Sequence, residues 1–254
     1  VFVHSIATGE GESGDVESTY FGNVNEQVLK VCEELQGIPE LQGGFNAVGF
    51  SQGSQFLRAV VEYCQHKGPK MHVLVTMGGQ HEGISNVPGC ANEHDNWCWL
   101  MQEIMEHGAY TTWASEHVVQ AQYVKDPQDL HGYMKYNPFL PVINNEHADK
   151  NPQYRTNLAS LEKLVLLRFE YDSVVIPRES SWFSFFNGTD LIPMRDLDIY
   201  KEDWIGLKQL DERGAIDIGD VPGDHMEFTM EWFMEHVVEK YLLSPMEEPH
   251  ISAV

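Results

Sequence analysis

The stretch Gly49-Phe50-Ser51-Gln52-Gly53 sets a serine two positions from a glycine on either side. An apolar run ends at Phe50, and a run with helical spacing opens at Gln52. This is the G-x-S-x-G pattern of a nucleophile elbow, where a serine occupies a strained strand-to-helix turn and the flanking glycines relieve crowding. The bare pattern recurs by chance, so its placement between a strand and a helix is what gives it weight. A serine becomes a nucleophile only with a base, and the base needs an acid to fix its tautomer. In this architecture the partners follow in the order serine, acid, histidine, each just past the end of a strand. Asp172 follows the apolar run 163–169, and His225 sits in Pro222-Gly223-Asp224-His225, ahead of the last helical run. The chemistry implied is acyl transfer, with Ser51 as nucleophile, His225 as base and then acid, and Asp172 orienting the imidazole.

Rival residues fit less well. His81 follows a strand but precedes every suitable acid, which makes it a wall or structural residue. Asp190, Asp196 and Asp198 follow no comparable strand. Asp224 adjoins His225 and reads as a turn residue. The remaining histidines, out of twelve, read as surface or structural groups.

The elements that must position these residues are visible in the periodicity. Phe2 to Ile6 alternates like a short strand, and a Gly/Glu/Ser-rich loop follows to about Thr19. Residues 25–35 and 52–63 have helical spacing, and 45–50, 71–77 and 163–169 read as buried strands. Strand, helix, strand with short joints predicts a βαβ unit and a parallel sheet. From 81 to 158 no clear strand occurs. Helical pieces such as 97–106 and 115–123 alternate with polar loops there, which predicts a helical insertion capping the carboxyl edge of the sheet, or else a plain run of packing helices. Residues 207–218 look like a hairpin around Arg213-Gly214, 219–223 like a loop, and 226–243 like an apolar final helix. No repeat or interdomain linker appears, so residues 1–254 are expected to form one α/β domain.

The chain has 254 residues, 42% of them hydrophobic and 22% charged, as a folded domain with a core requires. Sixteen Lys and Arg against 39 Asp and Glu give a net charge of −23, which repels phosphate backbones and argues against nucleic acid as a partner. No apolar run approaches the length of a membrane span. No basic and apolar leader precedes Val1, so either a segment has been removed or the chain belongs to a longer one. The four cysteines, Cys32, Cys64, Cys90 and Cys98, include no CxxC and no metal-ligand spacing. They read either as two disulfides, with Cys90 and Cys98 spaced for a local staple, or as four buried thiols. Asn187-Gly188-Thr189 is the one sequon and makes Asn187 a candidate glycosylation acceptor.

The segments 49–60 (GFSQGSQFLRAV), 77–83 (MGGQHEG) and 170–175 (EYDSVV), followed by Ser181-Trp182-Phe183, Gly223-Asp224-His225 and Met230-Glu231-Trp232-Phe233, occur in this order. Together they resemble the palmitoyl-protein thioesterases of the lysosomal type, from about Phe2 to Leu242. The resemblance implies an α/β-hydrolase fold, a mostly parallel central sheet flanked by helices with a helical insertion, and no cofactor or metal. It implies hydrolysis of long-chain fatty acyl thioesters of protein cysteines, palmitoyl-CoA-like thioesters as further substrates, and residence in the lysosome or outside the cell. It carries the triad onto Ser51, Asp172 and His225. It implies disulfides Cys32–Cys64 and Cys90–Cys98, and an acyl groove built partly from the insertion. Gln52 would offer its backbone N–H to the oxyanion.

The sequence departs from the family in three ways. Tyr171 and Asn137-Pro138 stand where the family has sequons. Ser54 replaces a glycine. The family's first strand and a His-Gly-type loop, source of a second oxyanion N–H, fall before Val1. The expectation is therefore a thioesterase without its amino-terminal portion, and one such donor is typically worth about 10²–10³ in rate. Two alternatives stand beside it: a carboxylester lipase with the same triad, and an inactive shortened isoform that binds without cleaving.

Overall fold

The structure, a computed structural model, describes residues 1–9, 14, 22–85 and 119–243. Helix α1 (Val24–Gln36) leads to strand β1 (Phe45–Phe50), helix α2 (Gln52–Cys64) and strand β2 (Met71–Met77). Short helices α3 (Leu130–Tyr136), α4 (Leu140–Ile143) and α5 (Pro152–Ala159) precede strand β3 (Lys163–Phe169). A two-stranded ribbon, β4 (Phe185–Phe186) with β5 (Leu191–Ile192), and helices α6 (Asp198–Lys201) and α7 (Leu207–Glu212) lead to strand β6 (Ile216–Val221). Helix α8 (Met230–Phe233) continues into a π-helical stretch, Met234–Leu242.

Strands β1, β2, β3 and β6 form one sheet in that order, with every pair parallel. Parallel strands need crossovers, which place helices on both faces. The strands alternate accordingly. Leu74, Leu164 and Leu166 join a large core with α1, α2, α5 and α7. Val75, Val165, Leu167 and Phe169 join a smaller one with Phe228, Trp232, Phe233 and Val237. Cys32 on α1 and Cys64 at the end of α2 are joined in a disulfide, with Cα atoms 5.9 Å apart.

Several expectations are corrected here. Phe2 to Ile6 forms no strand, and Val1 and Val3 are fully or largely exposed. Alternation supplies one apolar face but no ladder partner, and this segment is held instead by Ile6 on the core and by His4 bonded to Glu34. The expected hairpin at 207–218 is a helix followed by a parallel strand, with Leu207 and Leu210 buried one turn apart. Gly214, at φ +71°, makes the turn between them. Residues 219–221 belong to β6, not to a loop. The last helix begins at Met230, where the Thr229 side chain accepts from the Trp232 N–H, so 226–229 are not helical. Residues 119–123 form a 3₁₀ helix. The rest of the expected helix at 115–123, and the whole of that at 97–106, lie outside the described residues.

Candidate active site

The carboxyl ends of the four parallel strands converge on one place, as ligand sites in open parallel sheets do. Ser51 follows β1, Gln80 comes shortly after β2, Asp172 follows β3, and His225 comes after β6. Ser51 has φ 48° and ψ −124°, a backbone region that L residues avoid. Two features keep it there. The Ser51 N–H donates to Met77 O at 2.8 Å, and α2 begins at the next residue. A Cβ on Gly49 would lie 2.5 Å from Gly53 O, so glycine is required there. Gly53 differs from the expectation, because a Cβ at that position would meet nothing within 4 Å among the described residues. Of the two motif glycines, Gly49 is the crowded one among the described residues.

Ser51 Oγ lies 2.9 Å from His225 Nε2, and His225 Nδ1 lies 2.9 Å from Asp172 Oδ2. The other Asp172 oxygen accepts the N–H groups of Val174 and Val175, at 3.0 and 2.8 Å. The Asp172 side chain is fully buried, and that of His225 is only 10% exposed. A carboxylate can only accept, so Nδ1 carries the imidazole proton and Nε2 is left to accept from the serine hydroxyl. Gly78, at φ +65°, leaves room for the ring, since a Cβ there would lie 3.1 Å from His225 Cε1. Asp224 does not take part. Its carboxylate accepts from the backbone N–H groups of Ser173 and His225 and from the Ser173 hydroxyl. Burial pushes its pKa up, but these bonds outweigh burial and hold it below the usual carboxylate value.

Gln52 heads α2, where first-turn N–H groups have no partner within the helix. Ser54 is buried, and its hydroxyl donates to Gly49 O at 2.9 Å, so the serine that replaces a glycine ties the elbow together. His81 is fully buried, stacks on Phe183 at 4.4 Å and lies 3.2 Å from Thr76 Oγ1. Burial first, and the nearby Arg58 charge second, push its pKa well below the ordinary histidine value, which keeps it neutral. Asn187 is exposed, with its side-chain oxygen accepting the Thr189 and Asp190 N–H groups. Cys90 and Cys98 lie outside the described residues.

Sequence reasoning missed Gln80. Its side-chain nitrogen lies 3.3 Å from Ser51 Oγ. The available signal was a polar residue three positions past the end of the strand that neighbours the elbow.

A family model described as palmitoyl protein thioesterase matches residues 1–225. The chain belongs to the palmitoyl protein thioesterase family. Its parallel sheet with flanking helices is the α/β-hydrolase fold of that family. Palmitoyl-protein thioesterase 1 of Caenorhabditis elegans is 42% identical over 246 residues, covering 96% of this chain and 81% of the relative. Palmitoyl-protein thioesterase 3 of Dictyostelium discoideum is 31% identical over 85% of this chain and 72% of its own length. The lysosomal thioesterase PPT2 of Mus musculus is 26% identical over 75% of this chain and 65% of its own. Among the described residues, no helix is long and apolar enough to cross a membrane.

Proposed function

We propose that this chain is a serine thioesterase that releases long-chain fatty acyl groups, palmitoyl above all, from S-acylated cysteines of proteins or peptides. Palmitoyl-CoA-like thioesters fit the same chemistry. The observation that carries the reading is the line from Ser51 Oγ through His225 to Asp172, in a member of this family. Ser51 Oγ attacks the thioester carbonyl carbon, and its proton passes to His225 Nε2. Asp172 stabilises the imidazolium, and the Gln52 N–H donates to the oxyanion. The intermediate collapses by breaking the carbon–sulfur bond. The departing cysteine sulfur takes the proton from His225, an easy step because a thiol of pKa about 8.5 is a good leaving group. Water then attacks the Ser51 ester, gives a proton to His225, and the fatty acid leaves as that proton returns to Oγ.

Residence in the lysosome, reached through the secretory pathway and with a fraction outside the cell, belongs to the same proposal. The Cys32–Cys64 disulfide supports it, since such bonds persist in oxidising compartments. So does the name of the mouse relative. Pairing of Cys90 with Cys98 and a glycan on Asn187 complete it.

The test uses a fluorophosphonate probe together with matched palmitoyl thioester and oxygen-ester substrates. Labelling at Ser51, lost in Ser51→Ala, with faster turnover of the thioester, is the expected result. Labelling that persists in Ser51→Ala overturns the nucleophile. Preference for the oxygen ester makes the chain a lipase instead, and absence of turnover makes it a binding protein.

A further inference from the structure

A serine hydroxyl has one hydrogen and a free rotor, so something must decide where that hydrogen points. His225 offers an acceptor on one side of Ser51. The amide of Gln80 lies on another, and an amide can present either its NH₂ or its oxygen. With the NH₂ facing Ser51, the hydroxyl must accept there and donate to His225. With the oxygen facing Ser51, the hydroxyl could donate to Gln80 and be lost to the base.

The surroundings fix which face is shown. The Gln80 backbone N–H can only donate, and it donates to the side-chain oxygen of Gln55 at 3.0 Å. That sets the orientation of the Gln55 amide, whose nitrogen then donates to the side-chain oxygen of Gln80. Gln80 is left with its nitrogen toward Ser51 Oγ, at 3.3 Å. Gln55 is fully buried and Gln80 only 3% exposed, so water does not compete for these bonds. The starting point is a backbone N–H, which leaves no ambiguity of amide orientation along the chain.

We infer that Gln55 and Gln80 form an amide clamp that aims the Ser51 hydroxyl at His225, with Gln80 as the positioning residue and Gln55 as its lock. The inference rests on the thioesterase reading for its substrate, but the clamp acts on the nucleophile itself. Its effect can therefore be read without any thioester.

The experiment measures the rate of fluorophosphonate labelling of Ser51, and in parallel palmitoyl thioester hydrolysis, from pH 4.5 to 8 in the full chain. Gln80→Glu replaces the donor by a carboxylate that accepts the serine hydrogen. A loss of about tenfold or more is expected at pH 7. The loss shrinks as the pH falls, because the protonated carboxyl is a donor again. Gln80→Met removes the donor with no titrating group, and loses a similar factor with no pH-dependent recovery. Gln55→Glu reverses the lock, turns the Gln80 oxygen toward Ser51, and also slows labelling. Circular dichroism of each variant checks folding, and the remaining variants decide if one fails to fold. Labelling at the parent rate in the folded variants overturns the clamp. So does a Gln80→Glu deficit that stays constant with pH. A parent that labels but does not hydrolyse the thioester overturns the function and leaves the clamp standing or falling on labelling alone. A parent that does neither overturns both.

Discussion

Asp172 divides its work between two oxygens. One is spent on the Val174 and Val175 N–H groups, and the other faces His225 Nδ1. The division predicts the outcome of Asp172→Asn. The amide oxygen would keep the two backbone donors, since NH₂ cannot accept them. The NH₂ would then face Nδ1 and force the proton onto Nε2, where it opposes the serine hydroxyl. Removal of the base in this way is expected to slow labelling and thioester turnover by on the order of 10⁴-fold. Substrate binding and stability should change little. A variant within tenfold of the parent would mean that Asp172 does not set the tautomer. Ser51, Asp172 and His225, which the structure brings into one hydrogen-bonded line, could be singled out because each has a positional signature, just past a strand and in the right order. Gln80 and Gln55 have none. A glutamine in a loop and a glutamine on a helix look like surface residues until the fold buries both beside Ser51.

At the scale of elements, the two glycines of the elbow turn out to be unequal. A methyl at Gly49 would press on the first turn of α2, 2.5 Å from Gly53 O and 2.7 Å from Ser54 Cα. Backbone on both sides cannot yield as a side-chain tip would. Gly49→Ala is expected to destabilise by at least about 1–3 kcal/mol and to distort Ser51. Gly53 stands in the first turn of the helix with open space around its Cβ position among the described residues. Gly53→Ala should leave stability unchanged or raise it by about 0.4–1 kcal/mol, through the unfolded chain. Thermal denaturation of the two variants side by side checks this, and equal losses would refute it. The strands divide in the same way between legible and hidden. β1, β2 and β3 are apolar runs ended by glycine, serine or turn residues, and the sequence announces them. β6 reads Ile216-Asp217-Ile218-Gly219-Asp220-Val221, with its acidic residues paired to Lys163 and Arg168 of β3. Those pairings are made across strands and cannot be seen along one. Phe2 to Ile6 fails in the opposite sense, since it has the alternation of a strand but no ladder partner among the described residues.

At the scale of the whole molecule, α2 ties Ser51 to the rest. It starts at the elbow and ends in the Cys64 disulfide, which closes a loop of sequence separation 32. Loop entropy of that size is worth about 3–4 kcal/mol, so replacing both cysteines by alanine should lower the melting temperature by roughly 10 °C. Labelling of Ser51 at 25 °C should survive, because the bridge lies at the other end of the helix. Between these ends α2 buries Arg58 and Glu62 completely, with Arg58 bonded to Asn144 and to Glu62. One Glu62 oxygen has no partner among the described residues, and burial, only partly offset by Arg58, pushes its pKa up to about 8. The folded state thus holds a proton that the unfolded chain releases near the ordinary value of 4.5. The stabilisation is complete below pH 4.5 and is lost as the pH rises through 8. His81 acts in the opposite sense, since its lowered pKa gives stability that is present above 6.5 and lost as the pH falls. The two slopes oppose each other below pH 6.5, and that of Glu62 prevails above it. Glu62→Gln keeps an acceptor for Arg58 and removes the titration, so the difference between the two proteins isolates this one group. From pH 6.5 to 7.5 the parent should lose up to about 1.4 kcal/mol relative to the variant in urea denaturation. A difference that stays flat would refute the raised pKa in this window and mean that Arg58 keeps Glu62 ionised in the fold. The expected sign makes the buried Glu62 carboxyl favour surroundings below pH 8, a gain that His81 opposes once the pH falls below 6.5.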